Sequence, residues 1–104
     1  MGEVRRRACT AVAQNAQHGS ESTKEFKAAD MNMMKNMDAA PYTGNPDMDF
    51  RTHMIPHHEG AIAMAKIALK YANDAETKRM AQKIIDDQEK EVADMQAWLD
   101  KQGY

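Results

Sequence analysis

From residue 22 onward, apolar side chains recur every three to four positions, and polar residues fill the places between them. No stretch alternates apolar and polar residues as a half-buried strand does. Ser22-Thr23-Lys24-Glu25 has the form of a capping box, with Ser22 as N-cap and Glu25 reaching back. Phe26, Met33 and Met37 follow at spacings of seven and four, so the pattern predicts a first helix over about 22–38. Pro41-Tyr42-Thr43-Gly44-Asn45-Pro46 is turn-forming by composition. Asn45 is placed to cap a second helix whose first position is Pro46, where a missing N–H costs nothing. Phe50, Met54, Ala61, Met64, Ala65 and Ala68 carry that helix to about residue 72. Asn73-Asp74 then breaks the chain, and Asp74 caps a third helix striped by Met80, Ala81, Ile84, Val92, Met95 and Leu99. Gly103 suits the stop just past its end.

These elements define an all-α fold: an antiparallel helical bundle with one short helix and a long helical hairpin. The link at 73–74 is too short for any other arrangement of the second and third helices. A turn centred there pairs residues whose numbers sum to about 149, so Phe50 faces Leu99, Met54 faces Met95 and His58 faces Glu91. A first turn centred near residue 42 brings Met33 and Met34 near Phe50 and Asp49, Asp30 near His53, and Met37 near the start of the second helix. Pro56 lies within the second helix; it removes a hydrogen bond to the Thr52 carbonyl and predicts a kink there. The alternative is that Pro56 opens a new helix after a loop.

Composition adjusts this picture in three ways. A chain of 104 residues is one domain by length, and a small one that gains from a partner subunit or a metal. Fourteen basic and 16 acidic residues are mixed along it, with no basic stripe for nucleic acid, and the apolar residues are too dispersed to span a membrane. Residues 1–20 are polar, Ala/Gln-rich and aperiodic, which predicts a flexible arm ahead of a helical domain over 21–104. Arg5-Arg6-Arg7 followed by small residues follows the order of an export signal, but its apolar middle is too short. Cys9 has no intramolecular partner, and His18 also lies in the arm.

The candidate chemistry sits in His53-Met54-Ile55-Pro56-His57-His58, which holds three of the four histidines. On a helix His53 and His57 are neighbours one turn apart, as are Met54 and His58. Imidazole suits copper, zinc, iron and nickel, whereas thioether is soft and selects Cu(I). A chain with 10 methionines and one cysteine therefore favours copper, Cu(I) before Cu(II), with silver as a surrogate. Met54, His57 and His58 are the leading ligands. His53, Met64 and Met95 come next, then Met33, Met34 and Met37 of the first helix. The competing reading is that the methionine stripes are core and the histidines a solvated face.

Other chemistries lack their residues. His58-Glu59-Gly60-Ala61-Ile62 has Ile where a zincin needs its second histidine. There is no Glu-x-x-His for a di-iron carboxylate centre and no Cys-x-x-Cys for a zinc ribbon. No nucleophile or acid–base pair is visible, so the reading is a binding protein and not an enzyme.

Asp49-Phe50, the run Met54 to Ala65, and the block Gln88-Glu89-Lys90-Glu91-Val92 with Met95 and Trp98-Leu99 resemble the domain-of-unknown-function family numbered three hundred and five. The resemblance covers about residues 22–101, and its Met-Ile-Pro-His-His core is specific. It implies a ferritin-like helical bundle and, in exported members of the CopM type, copper binding that supports copper resistance. It also implies a periplasmic or secreted setting. The expected function is copper sequestration in the cell envelope, with a homodimer completing the bundle. The alternatives are a chaperone handing copper to an acceptor protein, and a helical interaction module with no metal role.

Overall fold

The structure, a computed structural model, runs in the order α1 (Gly2–Ala39), α2 (Pro46–Tyr71) and α3 (Ala75–Lys101). It describes residues 21–104 with their side chains, and the expectation of a flexible arm over 1–20, with Cys9 and His18, lies outside them. No strand occurs among the described residues. The fold is the helical bundle that the periodicity predicts.

The helix ends follow from local chemistry. The Asn45 side chain accepts from the backbone N–H groups of Asp47 and Met48, and Pro46 follows it as predicted. Asp74 caps α3 by accepting from the N–H and hydroxyl of Thr77 at 2.8 Å each. The end of α3 is a Schellman motif: Gly103 takes a φ of +74°, its N–H donates to the Asp100 carbonyl, and Tyr104 N–H donates to that of Leu99. One expectation needs correction. Ser22 lies inside α1 and is not an N-cap, because the helix is already formed on its N-terminal side. Pro56 lies within α2 as expected, and the alternative of a new helix opening there after a loop does not hold, because α2 runs unbroken through it.

α2 is the middle of the assembly. Both α1 and α3 pack on it, and among the described residues α1 and α3 do not approach one another. The α2–α3 seam holds the small core, in which Ala65, Ala81 and Ile85 are buried and Ile62, Ala68, Leu69 and Ile84 surround them. Leu99 is buried nearer the end of α3. The link over residues 72–74 is tight, so its centre fixes the register. His58 meets Glu91 and Arg51 stacks on Trp98, both pairs summing to 149 as predicted.

The α1–α2 seam has a different register. Glu25 bonds both Lys70 and Tyr71, and the Met33 side chain lies over Gly60, so facing residues sum to about 93–96. The expected sum, from a turn centred near residue 42, was smaller by about ten. Asp30 is therefore not beside His53, nor Met33 and Met34 beside Phe50 and Asp49, and Met37 stands near the middle of α2 rather than at its start. The cause is the connection over residues 40–45, which is extended rather than tight. Six extended residues reach up to about 20 Å, enough to run back along α2 before it begins. The stretch is pinned by Asp49, whose carboxylate accepts from Thr43 N–H and hydroxyl at 2.8 Å and from Gly44 N–H at 3.1 Å. Gly44 has a φ of +88°, where a side chain would be strained.

Candidate metal centre

Three positions of α2 one turn apart, Phe50, Met54 and His58, face Glu91, Asp94 and Met95 of α3 across a cleft of about 410 Å³. The hairpin register brings Met54 and Met95 to the same cleft, as the sequence predicts. The His58 side chain is only 13% exposed. Its Nε2 lies 2.8 Å from Glu91 Oε2. An ionised carboxylate only accepts, so Nε2 carries the proton and donates. In the neutral ring, Nδ1 is then left with a bare lone pair. That atom is buried and has no hydrogen-bond partner.

This is the arrangement in which histidine ligates metals: one ring nitrogen donates to a carboxylate, which fixes ring and tautomer, and the other faces the metal. Two thioethers line the same cleft. The donor set of one imidazole and two sulfurs fits a soft monovalent ion, while Glu91 stays engaged with the ring. Among the described residues no three His, Cys, Asp or Glu side chains converge, so a harder, carboxylate-rich centre has no preformed group.

His53 is held differently. Its Nδ1 lies 2.8 Å from the Asp49 carbonyl oxygen, and Tyr42 stacks on its ring at 4.1 Å. The Asp49 clamp on Thr43 and Gly44 fixes the stretch that carries Tyr42. Sequence reasoning missed this stacking partner, because the path of the 40–45 connection is not written in helical periodicity. His57 is exposed, with its ring centroid 6.1 Å from that of His58.

The remaining candidates are dispersed. Met64 lines a separate groove with Met80, Ile84 and Gln88, roughly 9 Å along α2 from His58. Met33 and Met37 are partly buried on the α1 stripe that meets α2, and Met34 is exposed. The structure thus brings together Met54, His58 and Met95 and leaves Met34 and Met64 apart from them.

The fold and this cleft define a small helical bundle with an imidazole–thioether pocket inside its hairpin. The chain belongs to the family described as domain of unknown function (DUF305), whose model matches residues 3–99. No curated protein matches it. No helix among the described residues is long and apolar enough to cross a membrane.

Proposed function

We propose that this chain binds copper, as Cu(I), between α2 and α3 through His58 Nδ1 and the sulfurs of Met54 and Met95, and serves to sequester it in the cell envelope. One observation carries the reading: a buried, unpartnered histidine nitrogen, oriented by a carboxylate, in a cleft lined by two thioethers. A core histidine with only a structural role would have its second nitrogen satisfied, since a buried polar atom without a partner costs about 1–3 kcal/mol. A bound ion offsets that cost. The role is binding rather than catalysis, and the periplasmic or secreted setting rests on the sequence resemblance alone.

The test is an anaerobic titration against a chromophoric Cu(I) competitor, with circular dichroism recorded on the same samples. His58→Ala and Met54→Leu should each weaken Cu(I) binding while the helices persist. Zn(II) should bind more weakly than Cu(I) or Ag(I) to the unaltered protein, because thioether is a poor zinc ligand. Full Cu(I) affinity in both variants would contradict the proposal.

We also propose a homodimer. Among the described residues the buried hydrophobic side chains of the core are Ala65, Ala81, Ile85 and Leu99, while Phe50 and Met80 on one flank of the hairpin are 62% and 64% exposed. Helices must bury their apolar stripes, and three helices in a row leave that flank uncovered. Light scattering should give twice the chain mass, falling toward the monomer when Phe50 and Met80 are both changed to Glu.

A further inference from the structure

The six residues 53–58 are contiguous in sequence, but α2 divides them. At 3.6 residues per turn, His53 and His58 point about 140° apart around the axis. His58 turns toward α3, where Glu91 holds it. His53 turns toward α1 and the 40–45 connection: it stacks on Tyr42, and the same side of the helix carries the buried Gly60 beneath Met33. The two rings are also oriented oppositely. His53 Nδ1 lies 2.8 Å from the Asp49 carbonyl oxygen and 3.1 Å from the Thr52 hydroxyl, which itself donates to that carbonyl. A carbonyl oxygen only accepts, so the shorter contact has Nδ1 donating, and in the neutral ring the lone pair lies on Nε2. That atom too is buried with no partner. His57 follows His53 by one turn on this side. The α1 register, fixed by Glu25 and Met33, sets Met37 at the level of Pro56 to Glu59.

We propose that His53 Nε2, with His57 and Met37, forms a second station for a soft monovalent cation at the α1–α2 seam, distinct from the His58 pocket. The inference rests on the copper reading above and deepens it: each chain holds two ions rather than one. His57, exposed and with its ring 6.1 Å from that of His58, stands between the stations and gives an ion a route from one to the other. The ligating nitrogen differs between them, Nε2 at His53 and Nδ1 at His58. Each is dictated by the hydrogen bond that the opposite nitrogen makes.

Silver(I) is the probe, being closed-shell and free of redox chemistry, and long-range proton–nitrogen spectra of labelled full-length protein are the readout. The unaltered chain should bind two Ag(I), with Nε2 of His53 and Nδ1 of His58 both shifted. His53→Phe keeps a ring to stack on Tyr42 and should bind one ion, at His58. His58→Ala should also bind one, at His53. A single Ag(I) in the unaltered chain that shifts only His58, with His53→Phe unchanged in stoichiometry, would overturn the second station and leave the first intact. Loss of all silver in His58→Ala would make the histidines one shared site and would equally overturn it. No silver bound by the unaltered chain would overturn both readings. The nitrogen shifts of the unaltered protein decide the matter even if a variant fails to fold.

Discussion

The two seams of this molecule are built on opposite principles. Between α2 and α3 the link is three residues, the register follows from its centre, and the contact is apolar around Ala65, Ala81 and Ile85. Between α1 and α2 the connection is extended, the register is displaced, and the ties include polar ones: Glu25 to Lys70 and Tyr71, and the Asp49 clamp on Thr43 and Gly44. The first seam supplies cohesion and shapes a cleft around His58. The second holds a helix by a few directed bonds and a methionine laid over a glycine. Stability should therefore concentrate in the hairpin, while the attachment of α1 depends on ionised carboxylates at Glu25 and Asp49.

The largest expected effect is in the hairpin. Ile85→Ala removes a buried side chain from the small core and should cost about 2–5 kcal/mol in chemical denaturation. An equal loss from Met33→Ala would erase the asymmetry between the seams, since Met33 is only partly buried.

Next comes the carboxylate behind His58. Glu91→Ala should lower Cu(I) affinity by roughly 10–100-fold, the usual effect of removing the group that orients a ligating histidine. Glu91 itself is 56% exposed, so its pairing adds little to stability, about 0–1 kcal/mol. A competitor titration beside a denaturation curve separates the two quantities. A change in stability with unaltered copper affinity would make Glu91 a structural partner only.

Gly60→Ala probes the other seam. An added Cβ would lie 2.9 Å from Met33 Cβ, closer than such atoms approach, so α1 must shift. Overpacking of this kind costs about 1–3 kcal/mol, partly offset by about 1 kcal/mol of better helix propensity. The net should be a loss of roughly 1 kcal/mol that is reduced but not abolished in a Met33→Ala background, which removes the Cγ and Sδ crowding the new methyl but keeps the Cβ. An unchanged loss in that background would place the strain elsewhere.

The smallest effect is that of pH. The Tyr71 hydroxyl, and after it the Lys70 ammonium, hold the Glu25 carboxyl below its ordinary range, and the Thr43 backbone N–H, then its hydroxyl and the Gly44 N–H, do the same for Asp49. A carboxyl whose pKa is depressed by folding contributes its full share above the unfolded pKa, and that share disappears as pH falls through the folded value. Acid should therefore weaken the Glu25 tie of α1 and the 40–45 connection, and within the hairpin the Asp74 cap, whose carboxyl the Thr77 hydroxyl likewise holds low. Glu25→Gln should flatten the fall in melting temperature below about pH 5. An identical slope in the variant would remove Glu25 from the account.

What the sequence makes legible follows the same division. Turn chemistry at Asn45, Asp74 and Gly103 specifies three helix ends, and the short link after α2 pairs His58 with Glu91 and Met54 with Met95. The number of residues in the first connection says how far it can reach, not which way it runs, so the α1 register and the stacking of Tyr42 on His53 need coordinates. Ser22 satisfies the form of a capping box inside a helix, because the motif does not encode whether the chain before it is helical. The His/Met cluster reads as one site in sequence because adjacency along the chain hides the rotation of a helix. Met64, two turns beyond His57, lines another groove for the same reason.

X-ray absorption at the copper edge of the protein carrying one equivalent of Cu(I) tests the central claim most directly. Sulfur scatterers together with one imidazole are expected, with loss of part of the sulfur signal in Met95→Leu. A first shell of nitrogen and oxygen alone, unchanged in that variant, would contradict it.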